Sequence, residues 1–84
     1  MNPENNNQKE IAMRTCDSFA WLLEVAIHKY HEAADNVNAD RCERALQHIH
    51  YAFAYFNHNR EEEAVQHLNA ANSLVGTIFY GVTE

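Results

Sequence analysis

The chain has very few of the residues that interrupt regular secondary structure. Its 84 residues include two glycines and one proline, and these stand near the ends of the sequence, as Pro3, Gly76 and Gly81. Glycine and proline mark the turns between short strands, so their absence from the middle of the chain argues against a β-sheet. The sequence therefore predicts an all-α protein.

Basic residues are also scarce. Six Lys and Arg stand against twelve Asp and Glu, which gives a net charge of −6 at pH 7. Binding to nucleic acid phosphates needs clustered Lys and Arg that displace counterions, so we expect no nucleic acid partner. An acidic surface that mimics nucleic acid is an alternative, although such a charge also serves ordinary solubility.

The cysteines and the longest apolar run exclude two further classes. Cys16 and Cys42 have no metal-type spacing, and no secretory signal precedes them, so we expect two small buried side chains in a reducing cytoplasm. The run of residues 19–27 (FAWLLEVAI) is interrupted only by Glu24 and is far shorter than the roughly 20 residues that span a bilayer. We therefore expect a cytoplasmic protein without a membrane partner.

A long heptad pattern dominates the first half of the chain. After a polar head at residues 1–8, which we expect to be disordered, apolar positions alternate by four and three residues. They are Ala12, Cys16, Phe19, Leu23, Ala26, Tyr30, Ala33 and Val37, flanked by Met13, Ala20, Ile27 and Ala34. The pattern predicts a helix over residues 9–36, which would be roughly 42 Å long.

Two shorter helices are predicted after it. Asp40 and Glu43 have the capping-box spacing, which predicts a second helix over residues 41–57. A third is predicted over residues 60–80, with three glutamates in its first turn, where the helix dipole favours anions. The intervening NHNR turn is short enough to force an antiparallel hairpin. The expected fold is one domain, residues 9–84, in which the long helix packs on this hairpin as a three-helix bundle.

The end of the third helix has two interpretations. Either Gly76 stops the helix and the following residues are extended, or the helix continues and Gly81 is its left-handed cap. The apolar stripe formed by Leu68, Ala71, Val75 and Ile78 favours the second interpretation.

Five residues of the predicted hairpin are notable for their spacing. They are the small Ala52 and, within the segment AYFNHNREEEAVQHLNAA, Tyr55, Ala64, Leu68 and Ala71. With these spacings, residues 42–75 resemble a single tetratricopeptide repeat. His48 departs from that family's usual tryptophan, and Gly76 stands in place of its terminal proline. The resemblance implies a protein-binding helical hairpin, although a solenoid needs about three such repeats and one is visible here.

The first helix has apolar residues on the side opposite its heptad stripes. A chain of this size buries only about 60 to 65% of its unfolded surface, and a hairpin that covers the stripes cannot also cover Trp21, Leu22 and Val25. We therefore expect a homo-oligomer, a dimer or larger. The predicted interface residues are Trp21, Leu22, Val25, Tyr51, Tyr55, Phe79 and Tyr80. For Tyr51 and Tyr55 the alternative is packing under the first helix.

No residue arrangement points to a reaction, a cofactor or a metal. Six histidines are many for this length, but there is no HExxH motif, and their protonation is instead a candidate means of changing association with pH. Sedimentation at alkaline and at mildly acidic pH would test that hypothesis.

We expect a non-enzymatic protein-binding module that acts as an adaptor, a chaperone-like subunit, or an inhibitor of a host protein such as mobile elements encode. The alternative is a binder of a small anionic ligand, such as a nucleotide, formed between subunits. Its candidate residues are Arg41, Arg44, His48 and Tyr51. An enzyme is the third possibility, with no candidate catalytic residue.

Overall fold

The computed structural model describes the backbone of residues 3–79 and the side chains of residues 7–76. The chain forms three helices, α1 (Pro3–Glu32), α2 (Asn36–Asn57) and α3 (Glu61–Phe79). Residues 3–79 contain no strand, so the all-α prediction is confirmed for that part of the chain.

The bounds of α1 differ from the predicted ones at both ends. The helix begins at Pro3, so residues 3–8 are helical although they were expected to belong to a disordered head. Proline is tolerated in the first turn of a helix, because its missing N–H would have no partner there. At the other end, α1 stops at Glu32 instead of residue 36.

The heptad stripe is buried only as far as α1 continues. Cys16 and Leu23 are fully buried, and the stripe residues between Ala12 and Tyr30 pack at this core. The prediction was wrong for Ala33 and Val37, because the chain leaves the helix before it reaches them. Both are exposed, Val37 to 71%.

A left-handed residue ends α1 and allows the reversal into α2. Ala34 has φ 58°, and the N–H of Asp35 donates to the Tyr30 carbonyl at 2.8 Å, as in a Schellman motif. Asp35 is the N-cap of α2, and its carboxylate accepts from the Asn38 N–H at 3.2 Å. The predicted cap at Asp40 was therefore wrong. Asp40 lies inside α2, which begins five residues earlier than the predicted position 41.

The second turn repeats this geometry. Asn59 has φ 62°, and the Arg60 N–H donates to the Tyr55 carbonyl at 2.8 Å. The helices α2 and α3 form the predicted antiparallel hairpin. Helix α3 passes through Gly76 without a break, as the preferred interpretation required, whereas Gly81 lies outside the described residues.

Helix α2 is the central element. It packs against both α1 and α3, whereas no Cα atoms of α1 and α3 lie within 8 Å of each other among the described residues. The three helices thus form an open layer, with extents of 49 × 26 × 16 Å, in place of a closed bundle. Four fully buried alanines, whose small side chains allow helices to approach closely, contribute to the core. They are Ala45, Ala52, Ala64 and Ala71.

Candidate functional site

The outer face of α1 carries large apolar side chains that no other helix of the layer covers. Trp21 is 63% exposed, Leu22 51% and Val25 36%. Successive helical residues are separated by about 100°, so Trp21 and Val25 point away from Leu23, which is fully buried. Residues 19–27 are therefore apolar on both sides of the helix, and the layer covers one side. The predicted exposure of Trp21, Leu22 and Val25 on the protomer is observed.

A groove runs between α1 and α2 beside Trp21. Cys16, Ala20 and Trp21 line it from α1, and Ile49, His50 and Phe53 line it from α2. Its volume is about 550 Å³. On the other side of the indole is a shallower depression against Ser18 and Leu22. Trp21 thus forms a ridge between two concave surfaces.

Two carboxylates stand at the rim of this groove. Asp17 lies four residues before Trp21 and Glu24 three residues after it, so both are one helical turn from the indole on the groove side. Both are exposed, and no Lys, Arg or His nitrogen of the described residues forms an ion pair with either of them. Apart from His50 on α2, the groove therefore combines an apolar floor with a negative rim.

The two cysteines behave as hydrophobic side chains. Burial raises the pKa of the Cys16 thiol above its ordinary value, and the nearby Asp17 carboxylate raises it further. Burial alone raises the pKa of Cys42. Both thiols are free and fully buried, so they stay protonated at neutral pH and are poor nucleophiles.

A cluster of rings joins α2 to α3. The Nδ1 atoms of His48 and His67 lie 2.9 Å apart, within hydrogen-bonding distance. The His67 ring centroid is also 5.1 Å from that of Tyr51 and 5.5 Å from that of Tyr55, on which it stacks. The guanidinium of Arg60 lies over the Tyr55 ring, 5.2 Å from its centroid. The described ring contacts of both tyrosines are thus made with α3 and not with α1.

His67 was not among the residues predicted for the site. Hairpin symmetry could have indicated it, because Tyr51 and His67 are each eight residues from Asn59 and so face each other across the turn. Tyr51 remains 57% exposed and stays a candidate interface residue. The side chain of Phe79 and all of Tyr80 lie outside the described residues.

The candidate anion-binding residues share α2, but Arg44, His48 and Tyr51 already contact other side chains. The Arg44 guanidinium is 3.1 Å from the Asp40 carboxylate, which offsets its charge. His48 holds His67, and Tyr51 contacts the same ring. His48 and Tyr51 therefore contact the same His67 ring, and Arg44 has a carboxylate beside it.

The remaining histidines form no metal centre with other side chains of residues 7–76. His28 lies 3.1 Å from Glu32, and His31 lies 3.2 Å from Glu43 on α2. Within the described part of the chain, no three His, Cys, Asp or Glu side chains are grouped so that they could hold a metal ion. No described helix is long and apolar enough to cross a membrane.

Comparison with known proteins gives no match. No family model, no curated protein and no solved structure corresponds to the chain at a significant level. The resemblance of residues 42–75 to a tetratricopeptide repeat stays a prediction.

Proposed function

We propose that the protein is a small, non-enzymatic interaction module whose contact surface is the outer face of α1. The exposure of Trp21, 63% in a helix whose opposite side carries the fully buried Leu23, is the observation that carries this proposal. Tryptophan is among the residues that contribute most to binding energy when an interface covers them.

The surroundings of Trp21 support the same function. Leu22 and Val25 adjoin it, and concave surfaces on both sides of the indole offer places for a partner's side chains. An apolar centre with a polar rim is the usual anatomy of a protein interface. We propose that two copies of the chain cover Leu22 and Val25 mutually, in an arrangement with two-fold symmetry.

Sedimentation equilibrium tests this self-association. We expect the wild-type chain at micromolar concentration to have at least twice the protomer mass of 9.7 kDa. Leu22→Glu should restore the protomer mass, because it places a charge at the centre of the apolar contact. The matched control is Val65→Glu, which adds the same charge at an exposed valine of α3 and should leave the oligomer intact.

A wild-type chain that sediments as a single protomer would contradict the proposed self-association. An oligomer that both variants preserve would show that copies associate through another surface.

The small-ligand alternative receives less support from the geometry. The Asp40 carboxylate beside Arg44 opposes the binding of an anion there. A nucleotide that binds only the native state would raise the melting temperature, so a thermal-shift comparison with and without nucleotides separates the two functions.

A further inference from the structure

The groove between α1 and α2 differs from the rest of the outer face of α1 because it joins an aromatic wall to two carboxylates. Trp21 forms the wall, and Asp17 and Glu24 stand one helical turn on either side of it. We propose that this groove binds an arginine side chain from a basic segment of a partner protein. The inference rests on the proposed function and names the chemistry of its partner.

The indole is the first part of this recognition. A cation is attracted to the face of an aromatic ring, most strongly to tryptophan, and the flat guanidinium group of arginine also stacks on it. The exposed Trp21 side chain leaves room for such a contact, and the groove volume of about 550 Å³ is ample for one side chain.

The carboxylates are the second part. Among the described residues, Asp17 and Glu24 have no cationic partner within the protomer. By contrast, the Asp40 and Glu63 carboxylates are paired with Arg44 and Arg60. A guanidinium beside Trp21 could donate to either free carboxylate, and charge-assisted hydrogen bonds of this kind are stronger than neutral ones.

The floor of the groove suits the aliphatic part of the same side chain. Phe53 from α2 and Ala20 from α1, both half-buried, supply apolar surface below the charged rim, with the fully buried Ile49 beneath them. Arginine buries its methylene groups on such surfaces while its charged end stays at the rim.

Overall charge favours a basic partner over a second copy in this groove. The chain carries a net charge of −6, and a second copy would bring the same Asp17 and Glu24 to the contact. Like charges that face each other across an interface are unfavourable. Self-association is therefore assigned to the Leu22 and Val25 side, and the basic segment to the groove side.

Intrinsic fluorescence tests the proposal directly, because Trp21 is the single tryptophan of the chain. The probe is a short peptide of alternating arginine and glycine, titrated into the full chain at low ionic strength. We expect saturable binding with a change in Trp21 emission. The equivalent lysine peptide should bind more weakly, because an ammonium group cannot stack on the indole.

Two charge-matched variants locate the binding. Asp17→Asn combined with Glu24→Gln should weaken binding about tenfold, because neither side chain can then form a charge-assisted hydrogen bond with the guanidinium. Glu61→Gln combined with Glu62→Gln removes the same charge from exposed residues at the start of α3 and should leave the affinity nearly unchanged.

Equal weakening by the two double variants would overturn the proposal, since binding would then follow net charge alone. Equal affinity for the arginine and lysine peptides, or no change in Trp21 emission, would also overturn it. Sedimentation of the Leu22→Glu variant is independent of the peptide, so the proposed self-association can stand even where the arginine site fails.

Discussion

Ala34 adopts a backbone conformation that suits glycine better than alanine. Its φ is 58°, where the β-carbon approaches the following carbonyl oxygen. Asn59, the equivalent residue of the second turn, has φ 62°. Asparagine tolerates this conformation more readily than alanine, so the strain is concentrated in the first turn.

We therefore expect Ala34→Gly to increase the free energy of unfolding by about 1 kcal/mol, because glycine adopts a positive φ without a steric cost. Urea denaturation of the variant and the wild type measures the difference. Ala54→Gly is the control, since Ala54 is exposed within α2 and its replacement should decrease the free energy of unfolding by about 1 kcal/mol. A loss of stability in both variants would contradict the left-handed geometry at Ala34.

Glu63 illustrates how a local ion pair lowers the pKa of a carboxyl group. Its pKa lies below the ordinary value of 4.5, chiefly because the Arg60 guanidinium donates a hydrogen bond to its carboxylate at 2.6 Å. A backbone hydrogen bond also lowers the pKa, burial partly opposes it, and the Arg60 charge lowers it a little further. Since the pKa is lowered on folding, this carboxylate contributes stability above its unfolded pKa and loses it as the pH falls through the folded pKa.

Arg60→Gln should accordingly raise the pKa of Glu63 towards its ordinary value. The titration of the side-chain carboxyl carbon, followed by NMR, measures this directly. Arg44→Gln removes a guanidinium that pairs with Asp40 instead, and it should leave the Glu63 midpoint where it is in the wild type. An unchanged Glu63 midpoint in Arg60→Gln would show that the hydrogen bond does not persist in solution.

At the scale of helices, the contact of α2 with α3 is specified by polar rings as well as by alanines. The His48 and His67 hydrogen bond needs one ring to donate from Nδ1 and the other to accept at Nδ1. Both rings are half-buried, so the loss of one partner leaves the other short of a hydrogen bond.

His67→Phe keeps an aromatic ring against Tyr51 and Tyr55 but removes this hydrogen bond, and we expect it to cost about 1 kcal/mol of stability. The double variant His48→Phe with His67→Phe should recover part of that loss, because neither polar atom is then left unpaired. Denaturation midpoints of the single and double variants form the cycle, with the exposed His58→Phe as a control. Strict additivity would mean that the two histidines do not interact.

Among the helices and turns, some could be predicted from the sequence and others could not. The heptad spacing around Cys16 and Leu23 specifies a long first helix, and the three glutamates at residues 61–63 mark the start of α3. The turn after α1 could not be located, because Ala34 gives no glycine signal. Asp35 and Asp40 are also equally able to cap a helix, so the choice between them depends on where α1 ends.

At the scale of the whole molecule, the sequence predicts the number and type of helices better than their arrangement. An amphipathic stripe indicates that a helix face is buried, but it does not say which helix covers it. For this reason the open layer, in which only α2 contacts both neighbours, could not be distinguished from a closed bundle. The exposure of Trp21 could be predicted, because it follows from apolar residues on both sides of one helix. Predicting the contact between His48 and His67 would have required the register of the hairpin.

The position of α2 between its neighbours also bears on how the chain reaches its native state. Within the described residues, close approaches between helices connect only α1 with α2 and α2 with α3, which are successive along the chain. Within that part of the chain, the native state needs no close contact between the first and the last helix. Topologies with such local contacts belong to the rapidly folding class, and either hairpin can serve as the template onto which the third helix condenses.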